Sequence, residues 1–288
     1  MIKKVIIPIA GLGTRFLPLS KVIPKELFPL VDKPAIQYII EEAKASGVEE
    51  IIFIVRPKKK EILEYFKDNP ELEKTLKSRS KESLLKEIQK TKEILKGVSF
   101  VSVSQLKPLG DGHAILQAKK LIGKDPCGVF FADDIVDSKI PCFLQLTNIF
   151  RTSQAPIIAL KKVSDDKISN YGIAEVEKIS SRLYKVKKIA EKPDKKSAPS
   201  NLAIVGRYIL TPEVFTYLEK TPPNSKKEII LAEALGKMLD DGKMIYGYEF
   251  DGKWLECGTK SSWVYSFLYL CSKHPEFGPK IKDFIKEI

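Results

Sequence analysis

Residues 10–18 of this 288-residue chain read Ala-Gly-Leu-Gly-Thr-Arg-Phe-Leu-Pro, directly after an apolar β-branched run from Lys4 to Ile9. Glycine tolerates positive φ and close backbone approach, so Gly11 and Gly13 leave N–H groups free to face an anion. Arg15, the first arginine of the chain, and Lys25, in Pro24-Lys25-Glu26, add two cations beside that loop. Fixed cations next to an amide-lined loop suit a nucleoside triphosphate better than the bridging pyrophosphate of a dinucleotide. The loop is not a Walker loop, since no Gly-Lys-Ser/Thr follows. It is not a dinucleotide fingerprint either, since Phe16 holds the third glycine position. A surface turn in a lysine-rich chain is the competing reading.

Such a loop needs a strand before it and helices behind it, and the pattern supplies both. Pro34 to Ser46 is predicted helical, with Ile36, Ile39, Ile40 and Ala43 on one face and Gly47 as a stop. Ile51 to Val55 and Val98 to Val103 read as strands, and Glu61 to Phe66 begins a helix. Ala114 to Leu121 reads as a helix, and Gly128 to Phe131 as a buried strand ending at Asp133 and Asp134, where α/β sheets place ligand-facing groups. The stretch 67–96 carries nine basic and six acidic residues, with Leu84, Ile88, Thr91 and Leu95 on a helical stripe, and reads as a solvated helical excursion.

After residue 150, strands are predicted at Ile157–Leu160, Tyr171–Val176, Tyr184–Ile189, Ala203–Leu210 and Met244–Phe250. Helices are predicted at Pro212–Glu219, Glu228–Asp240 and Ser261–Ser272. The alternation implies an α/β body with a mostly parallel sheet and right-handed crossovers, whose second half adds a smaller, more antiparallel lobe. The expected divisions are 1–150, 151–255 and a C-terminal helical segment 256–288, with no linker rich enough in Gly, Ser or Pro to separate independent domains.

Composition excludes several classes. With 43% hydrophobic residues and no apolar run near 20 residues, neither low-complexity disorder nor a membrane span is expected. The N-terminal apolar stretch is too short for a secretory signal core, which points to the cytoplasm. Cys127, Cys142, Cys257 and Cys271 contain no C-x-x-C pair, so they read as buried thiols rather than zinc ligands or a disulfide framework. The net charge of +12 comes mostly from lysine, since only six of the 49 basic residues are arginines. Nucleic-acid readers lean on arginine, so a small polyanionic substrate accounts for the charge at least as well.

Gly11-Leu-Gly-Thr-Arg-Phe-Leu-Pro18, Ile23-Pro-Lys-Glu26 and Leu30-Val-Asp-Lys-Pro-Ala-Ile-Gln-Tyr38 resemble the opening signature of the sugar-nucleotide pyrophosphorylases, and more narrowly of the bacterial UTP–glucose-1-phosphate uridylyltransferases. The likeness continues in order through Gly110-Asp-Gly-His-Ala-Ile115, Ala132-Asp-Asp134, Glu191-Lys-Pro193 and Pro199-Ser-Asn-Leu-Ala-Ile-Val-Gly-Arg-Tyr208, and ends near Glu256-Cys-Gly258. It implies a Rossmann-like, parallel to mixed central sheet flanked by helices, with a smaller sugar-binding lobe. It also implies an enzyme that makes UDP-glucose and pyrophosphate from UTP and glucose 1-phosphate, with Mg²⁺ as cofactor. Homodimers or homotetramers are common in such a family, and no nucleic-acid or membrane partner is expected.

Carried over position by position, Gly11, Gly13, Thr14 and Arg15 resemble the loop around the nucleotide phosphates, with Ala10 and Gly11 near the base. Lys25 resembles the catalytic lysine on the triphosphate. Glu26, Gln105 and Gly110 match positions around the uracil, where a Gln can donate and accept. A solvent-exposed strand end is the other reading of Gln105. Asp133 matches the Mg²⁺ carboxylate, with the N-cap of a following helix as its alternative, while Asp134 is expected to point elsewhere. Gly172, Glu191, Gly206 and Tyr208 resemble the hexose side. Lys192 resembles a group on the sugar phosphate, although lysines 188, 195 and 196 nearby keep a surface reading open.

Three departures stand out from the family pattern. Glu256 occupies the place of a usual Asp, a position that in several relatives adds a second metal carboxylate; Ala232-Glu233 replaces Thr-Asp; and Asp111 adds a negative charge close to the proposed base pocket. His113 reads as a packing or hydrogen-bonding residue, because a phosphate nucleophile needs no general base at neutral pH. Alternative functions are a related transferase using dTTP or another sugar 1-phosphate, a nucleotide-binding protein with weak catalysis, and a nucleic-acid binder driven by charge.

Overall fold

The computed structural model describes residues 2–57 and 61–287. Among them, nine strands form one sheet. Ser99–Ser104, Glu50–Val55, Lys4–Pro8 and Cys127–Phe130 run parallel in that spatial order, as the alternating pattern requires. Leu202–Leu210 then joins antiparallel, followed by Ile157–Lys162 antiparallel and Tyr246–Glu249 parallel to that strand. Leu183–Glu191 and Gly172–Lys178 complete the order, both antiparallel to their neighbours. A bridge between Ala203 and Ile173 curls the last strand back onto Leu202–Leu210.

Both faces of the three inner parallel strands, Glu50–Val55, Lys4–Pro8 and Cys127–Phe130, are covered, which is why they read as apolar runs, while the edge strand Ser99–Ser104 alternates. Val5, Ile7, Ile51 and Phe53 face helices Ala35–Ala45 and Cys142–Ser153. Ile6, Ile52 and Ile54 face the opposite core, with Ile115, Phe215, Leu218, Leu235 and Met238. The period of two along each strand divides neighbours between the two cores. All four cysteines are free and buried.

The structure departs from the sequence reading in places with local causes. The expected helix Ala114–Leu121 is two short helices, Asp111–Leu116 and Lys119–Ile122. Between them Gln117 Nε2 takes the His113 carbonyl at 3.0 Å and the backbone tightens to i→i−3 bonds. The helix expected from Glu228 starts at Leu231, because the Asn224 side chain and the Ile229 N–H bond to Leu109 hold 224–229 in a turn and an extended stretch. The excursion forms helices Pro70–Ser78 and Glu82–Leu95, but Leu85 is its buried position and Leu84 is exposed, one residue off the predicted stripe. Helix Cys142–Ser153 and strand Lys253–Glu256, paired antiparallel with Asp134–Asp137, were not read from the sequence.

Candidate active site

The proposed phosphate loop and its partners gather at one edge of the sheet. Residues 10–13 follow strand Lys4–Pro8, Arg56 follows Glu50–Val55, Gln105 follows Ser99–Ser104, and Asp133 follows Cys127–Phe130. These are the carboxyl ends of four parallel strands, where open α/β sheets place their ligands. Gly13 adopts φ 65°, and its carbonyl accepts the Ser20 hydroxyl at 2.7 Å. Gly11 shows no positive φ, so only one of the two loop glycines uses the left-handed backbone that glycine allows. Phe16 is buried edge-to-face against Phe28, with ring centroids 5.2 Å apart, and anchors the loop from below.

Four charged side chains converge beyond that loop. Lys25 Nζ lies 2.6 Å from Asp133 Oδ2. A Cβ built on Gly258 would meet Glu256 Oε1 at 2.8 Å, Arg15 Nη1 at 3.1 Å and Asp133 Oδ2 at 3.2 Å. Arg15 also donates to the Gly258 carbonyl at 3.1 Å, and the Gly258 N–H donates to Glu256 Oε1 at 3.1 Å. The backbone joins the two carboxylate segments as well, because Cys257 N–H donates to the Asp133 carbonyl at 2.7 Å. Burial disfavours charge on both Lys25 and Asp133. Their mutual attraction outweighs it, raising the lysine pKa and lowering that of the aspartate.

Asp133 does not end the strand, which stops at Phe130; it lies in the turn before Asp134–Asp137. No helix follows that turn directly, so the N-cap alternative falls. Asp134 turns the other way: Trp254 Nε1 donates to its Oδ1 at 2.7 Å, and Gly206 N–H to its Oδ2 at 3.0 Å. Burial and the neighbouring Asp133 charge push its pKa up to about 7. Gly206 thus serves Asp134 directly, since a Cβ there would lie 2.5 Å from Asp134 Oδ2.

Among the described residues no three carboxylate, imidazole or thiol side chains gather around one point. The two carboxylates at Gly258 are nevertheless what a hard cation needs when phosphate oxygens complete its shell. The residues fit Mg²⁺ on that ground, with Glu256 reaching the same point as Asp133.

Among the base-side candidates, Gln105 is buried rather than exposed. Its Nε2 donates to the Gly110 carbonyl at 3.0 Å and lies 2.9 Å from His113 Nδ1. His113 is also 3.3 Å from Gln117 Nε2, and burial lowers its pKa, so the ring stands in a neutral hydrogen-bonded row. Glu26 is buried with a raised pKa. A cavity of about 20 Å³, lined by Gly11, Gly13, Lys25, Glu26, Arg56 and Glu61 among others, has room for a water. Ala10 is buried and Thr14 is exposed. Asp111 Oδ1 accepts from the Gly112 N–H and the Leu231 N–H, so backbone donors take up the carboxylate that follows Gly110.

The sugar-side candidates form a second group. Gly172 pairs with Glu191 across the antiparallel strands, and a Cβ on Gly172 would lie 3.2 Å from Glu191 Oε2. Lys192, at φ 46°, donates its N–H to the Tyr171 carbonyl, and its ammonium is 3.5 Å from Glu191 Oε1. Tyr171 relates this group to the charged centre: burial and the nearby Glu256 and Asp134 carboxylates raise its hydroxyl pKa, and its ring lies 4.8 Å from Trp254. Tyr208 packs on Phe131 at 5.9 Å. An open cavity of about 500 Å³ lies against Tyr171, Trp254 and Glu256, but Gly172, Glu191 and Lys192 do not line it.

The sequence reading passed over Arg56, Arg207, Tyr171 and Gly258 as site residues. Arg207 is fully buried and holds Glu42 at 2.8 Å, the Phe131 carbonyl at 3.2 Å and the Gly206 carbonyl at 2.9 Å, with the Phe130 ring 4.4 Å away. The scarcity of arginine was the available signal for two of these, since Arg56 and Arg207 are among only six.

The chain belongs to the nucleotidyl transferase family, whose pattern it matches over residues 4–272. Within that family it is 41% identical to the UTP–glucose-1-phosphate uridylyltransferase of Staphylococcus haemolyticus (strain JCSC1435), covering 100% of this chain and 98% of that protein. It is 39% identical to the enzyme of the same name from Bacillus subtilis (strain 168), covering 99% and 96%. In three dimensions it resembles a UTP-bound UGPase from Acinetobacter baumannii, with TM-score 0.91, 39% identity and full coverage of both chains. It also resembles a UDP-glucose pyrophosphorylase complexed with UDP-glucose, with TM-score 0.85 and 37% identity over 95% of this chain and 100% of that one.

Proposed function

We propose that this chain transfers the uridylyl group of UTP to glucose 1-phosphate and releases pyrophosphate. The observation that carries the reading is the convergence of Arg15, Asp133 and Glu256 around Gly258, with Lys25 on Asp133, at the mouth of an amide-lined loop. In this reading Gly11, Gly13 and Thr14 present N–H groups to the triphosphate, with Ala10, Glu26, Gln105 and Gly110 around the base. Arg15 and Lys25 neutralise charge on the phosphates. Gly172, Glu191, Gly206 and Tyr208 form the hexose side, where Glu191 accepts from sugar hydroxyls and Lys192 faces the sugar phosphate.

A sugar-phosphate oxygen attacks the α-phosphorus in line; the bond to the bridging oxygen breaks and pyrophosphate leaves. The nucleophile is already an anion, so the residues position and neutralise rather than move protons. Asp133 and Glu256 would hold Mg²⁺, which when bound supplies charge neutralisation at the phosphate oxygens. The same reading has the chain acting in the cytoplasm as a homodimer or homotetramer, in keeping with the exposed Val264, Tyr265 and Leu268 of helix Lys260–Lys273. Among the described residues no helix is long and apolar enough to cross a membrane.

Pyrophosphate release with Mg²⁺, glucose 1-phosphate and each of UTP, dTTP, CTP, GTP and ATP tests the proposal. UTP should dominate. Release with another nucleotide would overturn the base assignment at Glu26, Gln105 and Gly110, and no release with any of them would overturn the reaction.

A further inference from the structure

We infer that Asp111 is a positioning residue for the nucleotide-facing turn 105–110, because its single Oδ1 closes two helix N-termini and ties that turn to the second half of the chain. The inference rests on the reading of Gln105 and Gly110 as uracil-facing. Oδ1 accepts the N–H of Gly112 at 2.6 Å, in the first turn of its own helix, and the N–H of Leu231 at 3.0 Å, the first residue of helix Leu231–Asp240. Neither helix has another side-chain cap: their flanking residues are Gly110 and Ile230. First-turn N–H groups need an acceptor: the Leu231 N–H takes this carboxylate, and the Gly112 N–H is shared between it and the Ile229 carbonyl.

The two segments also exchange backbone bonds, Ile229 N–H to the Leu109 carbonyl at 2.8 Å and Gly112 N–H to the Ile229 carbonyl at 2.9 Å. They meet so closely that a Cβ on Gly110 would lie 2.5 Å from the Ile229 carbonyl oxygen. The Gly110 carbonyl in turn holds Gln105 Nε2, so a shift at Leu231 reaches the proposed uracil contacts through two bonds. The groups that face the carboxylate are Glu191, Glu228 and the Tyr208 hydroxyl. It is steadied by amide N–H groups and helix dipoles rather than by an ion pair.

Calorimetric titration of the full chain with UTP and Mg²⁺, together with steady-state pyrophosphate release, tests this in wild type, Asp111→Ala and Asp111→Asn. Asp111→Ala should weaken UTP binding and raise the KM for UTP on the order of tenfold, as loss of a shared cap predicts, with a smaller change in the KM for glucose 1-phosphate. Asp111→Asn keeps an Oδ1 acceptor and should restore both values to within about twofold of wild type. Wild-type UTP affinity in Asp111→Ala, or equal impairment in Asp111→Asn, would overturn the inference. If Asp111→Ala does not fold, Asp111→Ser, with one shorter acceptor, takes its place in the comparison. Failure of the wild type to bind UTP would instead overturn the functional reading. In that event amide exchange at Gly112 and Leu231 still tests the clamp, expected faster in Asp111→Ala alone and overturning it if unchanged.

Discussion

Lys25 Nζ and Asp133 Oδ2 stand 2.6 Å apart across 108 positions of sequence, so the proposed phosphate cation and the proposed metal carboxylate neutralise each other. A metal ion on Asp133 and a phosphate on Lys25 would each compete with this contact, since the same two groups would be drawn to other partners.

Lys25→Met should lower turnover by about 10²-fold or more, the usual loss when a charge-stabilising group is removed. It also leaves Asp133 unpaired near Glu256. Mg²⁺ alone should therefore raise the melting temperature of the variant more than that of wild type. Equal Mg²⁺ shifts in the two proteins would refute the competition between lysine and metal.

Gly258→Ala tests the convergence point itself. The added methyl would meet Glu256 Oε1, Arg15 Nη1 and Asp133 Oδ2, all ends of side chains that can swing away. The fold should survive, with a melting temperature near wild type, while turnover falls by about 10²-fold through misplacement of the phosphate groups. Retained turnover would move the reacting phosphates away from Gly258.

Glu191→Gln should act on the other substrate. Removing the carboxylate beside Gly172 should raise the KM for glucose 1-phosphate on the order of tenfold while calorimetric UTP affinity persists, as expected for loss of a charge-assisted hydrogen bond. Unchanged sugar kinetics would take Glu191 out of the pocket.

Arg207 carries a stability prediction. Its guanidinium and the Glu42 carboxylate are 0% and 8% exposed, so Arg207→Met alone strands a buried charge and should cost about 3–5 kcal/mol in urea unfolding. Adding Glu42→Gln should recover a substantial part of that loss. Additive losses in the double variant would mean that the two side chains act independently.

The pH dependence of stability should carry the mark of Asp111. Burial raises its pKa from the ordinary 3.8 to about 6, against the pull of its two N–H donors, with Glu191 and Glu228 adding to the rise. The folded state therefore binds this proton more tightly than the unfolded chain. The stability the proton confers is fully present below about pH 4 and lost as pH rises through about 6. Relative to Asp111→Asn, which does not titrate, wild type should lose up to about 3 kcal/mol of unfolding free energy across that interval. Parallel curves for the two proteins from pH 4 to 7 would show that Asp111 titrates normally.

The parallel half of the fold was legible because its signals are local. An apolar β-branched run, a glycine loop and a helical stripe such as Ile36, Ile39, Ile40 and Ala43 each declare themselves within a few residues. Where other bonds competed with local pattern, the boundaries moved: the helix stops after Leu116, where Gln117 Nε2 bonds the His113 carbonyl, and the Ile229 bond to Leu109 delays the helix at Leu231. The one-residue error on the 82–95 helix arose because Leu84 and Leu85 are both apolar, and only packing on the body chooses between adjacent faces.

By itself the sequence determined the glycine loop, the cations that flank it, the strand–helix order and, through ordered motifs, the family. Side-chain type and short spacing are enough for those. Only the tertiary structure decided that Asp133 faces Lys25 while Asp134 turns to Trp254 and Gly206, that Arg15 reaches Gly258 across 243 positions, and that Asp111 caps a helix 120 positions away. The physical reason is that charges and buried polar groups take partners by distance and desolvation in the folded chain, and periodicity carries no record of which distant strand end will lie beside which.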